Sequence, residues 1–412
     1  MSNTEALTSV PRSGNRLLVL VAAACAISLL SFGVRATFGL FTAPWSQANG
    51  QSIEVFALAI AIQNICWGIS QPFAGAFADK FGPWKVLAAG SLLYGLGTIL
   101  TGFSNDPLSL YLTAGVLTGL GQGGASYVTV LGILGKLVPA EKRSWALGIG
   151  TAAGSLGQFA VVPVGQSMID SMGWSMAATI LGITITATVL LSSVFRGEST
   201  AGAAQGADLG LTTTVTAAFG HGSYVLLFFG FFVCGFQLAF VTTHLPAYLT
   251  AQGFAPSIGA WGIAVIGLFN VLGAYFAGVL GAKLPRRWLL SALYAGRALA
   301  IIGLISLPPS TTVLMVFCAS MGLLWLSTVP LTSGLLALMF GTRYLATLFG
   351  IIFFGHQIGS FLGAWLGGYI FTRTGNYELM WWLSALLGFA AAIIHMPIRE
   401  RVAPRFAEPS PT

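Results

Sequence analysis

The sequence is short of charge. Asp, Glu, Lys and Arg make up 7% of its 412 residues, where soluble domains carry near a quarter, so a water-soluble fold is excluded. Hydrophobic residues reach 56% and the mean hydropathy is +0.84, which makes a lipid bilayer the solvent. There only helices or closed barrels satisfy the backbone. Barrel strands alternate apolar and polar over about ten residues, whereas these runs stay apolar for about twenty, so the spans are helices. Cysteine is scarce too: Cys25, Cys66, Cys234 and Cys318 each lie inside an apolar run without metal-ligand spacing, and are read as packing residues. No metal site is expected. No phosphate-cradling loop is present, so neither a nucleotide nor another cofactor is expected. The net charge of +7 lies between the apolar runs rather than in one patch, which argues against nucleic acid as a partner.

Twelve runs are long enough to span. Spans 1 to 6 fall near 17–43, 54–77, 84–103, 108–135, 144–168 and 174–195. Spans 7 to 12 fall near 223–249, 257–281, 288–308, 312–340, 344–371 and 377–397. The first run is too long for a cleaved signal. The predicted organisation is an N-terminal tail (1–16), a six-helix bundle (17–195), a polar linker (196–222), a second bundle (223–397) and a C-terminal tail (398–412). With the N-terminus inside, fifteen of the 18 Lys and Arg fall on the cytoplasmic side and only Arg373 in an outside loop. By the positive-inside rule both tails are cytoplasmic.

A charged turn between spans 2 and 3 organises the chain: Phe73-Ala-Gly-Ala-Phe-Ala-Asp-Lys-Phe-Gly-Pro-Trp84. A worn copy, Phe276-Ala-Gly-Val-Leu-Gly-Ala-Lys-Leu-Pro-Arg-Arg-Trp288, stands about 203 residues later. It keeps Gly278 and Lys283 but has Ala282 where the first copy has Asp79. Pro44 is echoed by Pro246, which sets Arg35 opposite Gln237. The first copy resembles the loop signature of the major facilitator superfamily, read here as Gly75, Asp79, Lys80 and Gly82. That resemblance implies an all-α membrane transporter of twelve helices in two pseudo-symmetric six-helix bundles, with no enzymatic activity. It implies a substrate site at the bilayer midplane between the bundles, and a cytoplasmic gate at the motif, with Asp79 stabilising the outward-open state.

Two arginines remain inside spans, Arg35 and Arg297. A charge at that depth costs at least about 2.5 kcal/mol and is functional by default. In the superfamily, spans 1, 4, 7 and 10 line the cavity and span 9 is peripheral. The resemblance therefore makes Arg35 a substrate ligand and Arg297 a structural brace on backbone carbonyls or a neighbouring side chain. No Asp or Glu falls inside a span, so a buried arginine is left to seek an anion, ideally one bound through its planar fork. The charge inventory favours an anionic substrate. Gln237, Tyr127, Asn270, His356 and Gln357 are the polar residues expected to complete the site. His356, flanked by small residues in mid-helix, is also the candidate proton site.

Within the superfamily, the nearest likeness is to monocarboxylate transporters and the oxalate–formate antiporter group. It is carried by Phe32-Gly-Val-Arg35-Ala-Thr-Phe-Gly-Leu-Phe41, by Lys142-Arg143-x-x-Ala146-x-Gly148 and by Asp79-Lys80-Phe81-Gly82-Pro83. The chain departs from that group in span 8, where Asn270-Val-Leu-Gly-Ala274 stands in place of its arginine. The reading is a secondary transporter of a small organic anion, a monocarboxylate, acting as a monomer in a bacterial inner membrane. A multidrug or metabolite exporter of the same superfamily and a non-transporting sensor with the same fold are the alternatives.

Overall fold

The computed structural model describes residues 14–198, 210–341, 344–403 and 406. Most of the N-terminal tail, the middle of the linker, Arg343 and the end of the C-terminal tail lie outside the described residues. Among those described, ten helices are long and apolar enough to cross a membrane. One of them, Ala140–Ser192, holds both span 5 and span 6, broken where Gly173 takes φ 83°. Span 4 is divided into pieces too short to count singly, and with it the spans number twelve.

Spans 1, 2 and 3 are Gly14–Asn49, Ile53–Phe81 and Pro83–Thr101. Span 4 runs from Pro107–Leu110 through a π-helical turn, Tyr111–Leu117, into Thr118–Ala125 and then Tyr127–Leu137. Spans 7, 8 and 9 are Gly222–Ala251, Pro256–Gly281 and Arg286–Ser306. Span 10 is Thr311–Leu324 followed by Thr328–Phe340; spans 11 and 12 are Leu345–Thr374 and Glu378–His395. The stretch between the bundles, read from sequence as a polar linker, contains a short helix, Leu211–Phe219. Pro83, Pro107 and Pro256 stand in the first turns of spans 3, 4 and 8, where the missing N–H has no intrahelical partner to lose.

Span 1 packs on span 5 and span 7 on span 11, while spans 2 and 11 and spans 5 and 8 meet across the bundle boundary. The sequence repeat has a counterpart in the hydrogen bonds. The buried Tyr94 of span 3 donates to the Ser31 carbonyl of span 1 (3.0 Å), and the buried Tyr294 of span 9 donates to the Gly230 carbonyl of span 7 (2.7 Å).

Both spans 4 and 10 break midway. At Ser126 the chain turns extended (φ −71°, ψ 159°) and its hydroxyl accepts from the Thr129 N–H. In span 10 the break falls at Trp325 (φ −63°, ψ −83°). Irregular backbone at such depth persists only where protein groups or a cavity satisfy it.

The bundles are joined at one end and apart at the other. At the end carrying Arg373, Gly39 lies against the Thr242 carbonyl so closely that a Cβ would collide with it. Gln158 of span 5 donates to the Ile263 carbonyl of span 8 (2.8 Å), and Arg373 pairs with Glu54 (3.3 Å). At the end rich in basic residues, Gly75, Gly148, Gly278 and Gly350 of spans 2, 5, 8 and 11 all face open space. The cleft opens at the basic end.

Candidate functional site

Arg35 projects from span 1 toward span 2. Its Nη2 donates to Asn64 Oδ1 (2.8 Å), and Asn64 is itself held by donating to the Ile60 carbonyl (2.9 Å). The guanidinium lies over the Trp67 ring at 4.7 Å, within the range of a cation–π contact. Its Nε is buried without a hydrogen-bond partner, and no carboxylate bonds it among the described residues. Asn64 and Trp67, three residues apart, share one helical face, so span 2 offers an amide and a ring to the same cation. Beyond Arg35, a crevice of about 10 Å³ bounded by Thr242 and Thr243 has room for about one water. That side is closed.

Trp67 links this cation to the other bundle. Its ring meets Phe353 of span 11 edge-on (5.2 Å), and Phe353 stacks on His356 (5.6 Å, 8°). The adjacent Gly68 gives close access to the Gln357 side chain. Gln357 Oε1 lies 3.1 Å from His356 Nδ1, while the Gln357 amide nitrogen is buried without an acceptor. His356 and Gln357 thus reach the bundle boundary beside Trp67. Tyr127, just past the span 4 break, packs edge-on against Phe32 (5.0 Å) and is within electrostatic reach of Arg35. Trp67 also donates to Gln71 Oε1 (2.8 Å), and Gln71 accepts from Ser126 Oγ (3.2 Å). The guanidinium is therefore connected to the broken backbone of span 4.

Two expected site residues point elsewhere. Gln237 was set opposite Arg35 by the repeat, yet its amide donates to the Ser384 carbonyl of span 12 (3.0 Å), inside its own bundle. The repeat aligns backbones, and this side chain takes the rotamer that meets span 12. Asn270 is fully engaged as well. Its Nδ2 donates to Ser155 Oγ of span 5 (2.8 Å), and its Oδ1 accepts from the Leu326 N–H (2.9 Å). In this conformation it ties the two bundles together and holds one side of the span 10 break.

Arg297 holds the other side. It is fully buried, its Nε donates to the Leu324 carbonyl (2.9 Å), and Nη2 donates to the Leu324 and Trp325 carbonyls. Nη1 reaches Cys234 Sγ (3.4 Å), and the Tyr294 ring lies beneath the guanidinium at 5.2 Å. The kinked turn frees those carbonyls from helical bonding, and the guanidinium fork supplies the donors they lack. Cys234, read from sequence as a packing residue, is also a partner of this cation.

At the basic end, Asp79 accepts from Lys136 of span 4 (2.6 and 2.7 Å) within its own bundle. Gly82 takes φ 88°, a conformation that a side chain would strain, and so lets span 3 start immediately after span 2. Lys80 lies over the Phe81 ring at 5.2 Å. Among the described residues no cluster of His, Cys, Asp and Glu could hold a metal ion.

Twelve spans in two related bundles, around a cleft open at one end, define a polytopic membrane transporter rather than an enzyme. The Major Facilitator Superfamily family model matches residues 23–330 and again 227–411, and the chain belongs to that superfamily. It is 25% identical to monocarboxylate transporter 13 of Rattus norvegicus, over 94% of this chain and 90% of that one. It is 30% identical to a probable sulfoacetate transporter, SauU, of Cupriavidus necator, over 78% and 80%. The oxalate:formate antiporter of Oxalobacter formigenes matches at 25% identity over 100% and 99%. Among solved structures, a bacterial homologue of the lysosomal transporter Spinster, inward-facing and unoccupied, superposes with a TM-score of 0.73 at 15% identity, covering 95% of this chain and 100% of that one. That likeness concerns the fold alone.

Proposed function

We propose that this protein moves a small organic anion, a monocarboxylate, across a bacterial inner membrane by alternating access, with its basic end and both termini in the cytoplasm. The observation that carries the proposal is the buried Nε of Arg35, a charged donor without an acceptor among the described residues, on a guanidinium held by an uncharged amide and a ring. A carboxylate meeting the guanidinium would supply that acceptor through charge-assisted bonds. The free amide of Gln357, beside Trp67 on the facing bundle, would supply a second donor, and Tyr127 a polar wall. The names of the three relatives support the reading, since monocarboxylates, sulfoacetate, oxalate and formate all carry a carboxylate.

Alternating access would proceed by rocking of the bundles: the contacts at the Arg373 end open while the basic end closes. Asp79, here held by Lys136 in its own bundle, would then be released to bond the other bundle and hold the outward-open state. His356 is the proposed proton carrier.

The test is a panel of formate, acetate, lactate and oxalate beside the corresponding neutral amides, scored by thermal stabilisation of purified protein and then by uptake into vesicles. Acids are expected to stabilise and to be transported, and amides not. Equal responses to acids and amides would sink the anion reading. Unchanged pH dependence of uptake in His356→Gln would remove the proton role of His356.

A further inference from the structure

The second copy of the charged turn has lost the aspartate of the first, and the structure shows what that loss leaves behind. In the first copy Asp79 neutralises Lys136. In the second, Ala282 stands there, and the same loop supplies Lys283, Arg286 and Arg287. The chain leaving span 12 brings Arg399 and Arg401 against them. Together these residues line a pocket of about 620 Å³ at the basic end of spans 8, 9 and 12. Five cations and one carboxylate, Glu400, face the same space.

That carboxylate is already engaged. Glu400 Oε1 accepts from the Arg287 backbone N–H (2.8 Å) in the first turn of span 9. Arg287 in turn donates to the Ile398 carbonyl (3.3 Å) and lies over the Trp288 ring (5.3 Å). The Arg399 N–H donates to Ser223 Oγ (3.0 Å), which pins the tail in place. The walls are thus fixed by hydrogen bonds. The side chains of Lys283, Arg286, Arg399 and Arg401 have no ion-pair partner among the described residues. Four cations around one pocket repel each other unless an anion joins them. The N-terminus of span 9 faces the same pocket; its dipole favours anions, and Glu400 takes up its Arg287 N–H.

The rim indicates where such an anion comes from. Leu284, Trp288, Met396 and Val402 are exposed beside the cations, Trp288 by half. An exposed tryptophan beside arginines is the composition of a membrane–water interface, where basic pockets between spans take phosphate headgroups.

We propose that this pocket binds a phosphate anion, supplied as the headgroup of an anionic phospholipid in the leaflet at the basic end. It is a second anion site, distinct from the one at Arg35. Bound there, the headgroup would neutralise basic side chains at the second repeat as Asp79 neutralises Lys136 at the first.

The experiment titrates full-length protein in detergent with short-chain phosphatidylglycerol, short-chain phosphatidylcholine and inorganic phosphate, reading the thermal midpoint and the adducts retained in native mass spectrometry. One phosphatidylglycerol is expected to be retained and to stabilise, with phosphatidylcholine inert. Each basic residue near such a surface is worth about five-fold in affinity, so Lys283→Ala/Arg399→Ala/Arg401→Ala is expected to bind on the order of a hundred-fold more weakly. Ala282→Asp restores the carboxylate of the first repeat and is expected to weaken binding about five-fold by competing for the cations. Saturation by inorganic phosphate at the same concentrations as phosphatidylglycerol supports the phosphate chemistry and makes a solute the source. Phosphatidylcholine binding equal to phosphatidylglycerol, or both variants binding phosphatidylglycerol as the parent does, overturns the proposal.

Discussion

Arg373 of span 11 and Glu54 of span 2 meet at 3.3 Å, 319 residues apart in sequence, and close the two bundles against each other at the end away from the basic loops. The same guanidinium lies 3.4 Å over the Tyr369 ring, one turn back on its own helix, which orients it toward span 2. The pair forms only while this end is shut, so it biases the equilibrium between the two open states.

Breaking it is therefore expected to favour opening at the Arg373 end. Arg373 is 52% and Glu54 26% exposed, so water screens the pair and its worth is about 0.2–1 kcal/mol. Glu54→Gln or Arg373→Gln is expected to shift the population by up to about five-fold. Distances between spin labels on spans 2 and 11 would read it, and the swap Glu54→Arg/Arg373→Glu should restore the parent distribution. An unchanged distribution in both single variants would show the pair to be incidental.

Arg297 supports a different expectation, about stability. Arg297→Leu strands the Leu324 and Trp325 carbonyls, at about 1–3 kcal/mol for each buried group left unsatisfied. Arg297→Lys offers a point donor in place of the fork and should recover only part of the loss. Thermal unfolding of the purified protein measures both. Were Arg297→Leu to keep its melting midpoint and lose substrate binding, the residue would be a ligand instead of a brace.

These two arginines also show what the sequence could and could not disclose. The twelve spans were legible because a helix in lipid must be apolar for its whole length, and the half-chain repeat was legible in the paired turns around Gly75 and Gly278. The depth of Arg35 and Arg297 was legible for the same reason. Side-chain direction was not. Gln237 matches Arg35 in the repeat but turns to span 12. Asn270 is occupied by a helix break at Leu324-Trp-Leu-Ser327, which holds neither proline nor glycine itself; Pro330, four residues past Leu326, is the sequence signal for it. Trp67 does not stand out in the sequence, because aromatic residues are frequent in spans; its spacing from Asn64 is the signal that marks it. The Glu54–Arg373 pair joins opposite bundles, so each residue was visible alone and their meeting was not.

His221, in the turn before span 7, carries the acid sensitivity that can be argued outside the membrane. Its pKa lies below the ordinary 6.5, first through burial and then through the charges of Arg401 and Arg399; its ring packs against Phe340. A folded pKa below the unfolded value means the unfolded chain binds the proton more readily. The stability associated with His221 is thus full above about pH 6.5 and is lost as pH falls through and below that value. The melting midpoint of His221→Gln is expected to decline less between pH 7.5 and 5 than that of the parent. Identical slopes would show that another group carries the acid response. An anion held beside Arg399 and Arg401 should also reduce the parent's decline, by offsetting the charges that oppose protonation.

The most discriminating expectation concerns Arg35. Its guanidinium is fixed by Asn64 and Trp67 in one orientation, with Nε left over, so both charge and shape are presented to a ligand. Arg35→Lys keeps the charge and loses the planar fork; affinity for the transported acid should fall while measurable uptake survives. Arg35→Gln removes the charge, and losing a charged hydrogen bond costs about 1.5–3 kcal/mol, roughly ten- to a hundred-fold in affinity. Uptake by Arg35→Gln is expected to fall to a small fraction of the parent's at substrate concentrations at or below the parent KM. A third variant, Asn64→Leu, separates positioning from charge. It leaves the cation in place without its amide partner, so it should raise the apparent KM more than it lowers the maximal rate. Thermal midpoints for all three distinguish lost binding from lost folding. Near-normal anion uptake by a folded Arg35→Gln protein would leave the residue a structural anchor, stacked on Trp67 and bonded to Asn64, and would move the search for the substrate's counter-charge elsewhere in the cleft.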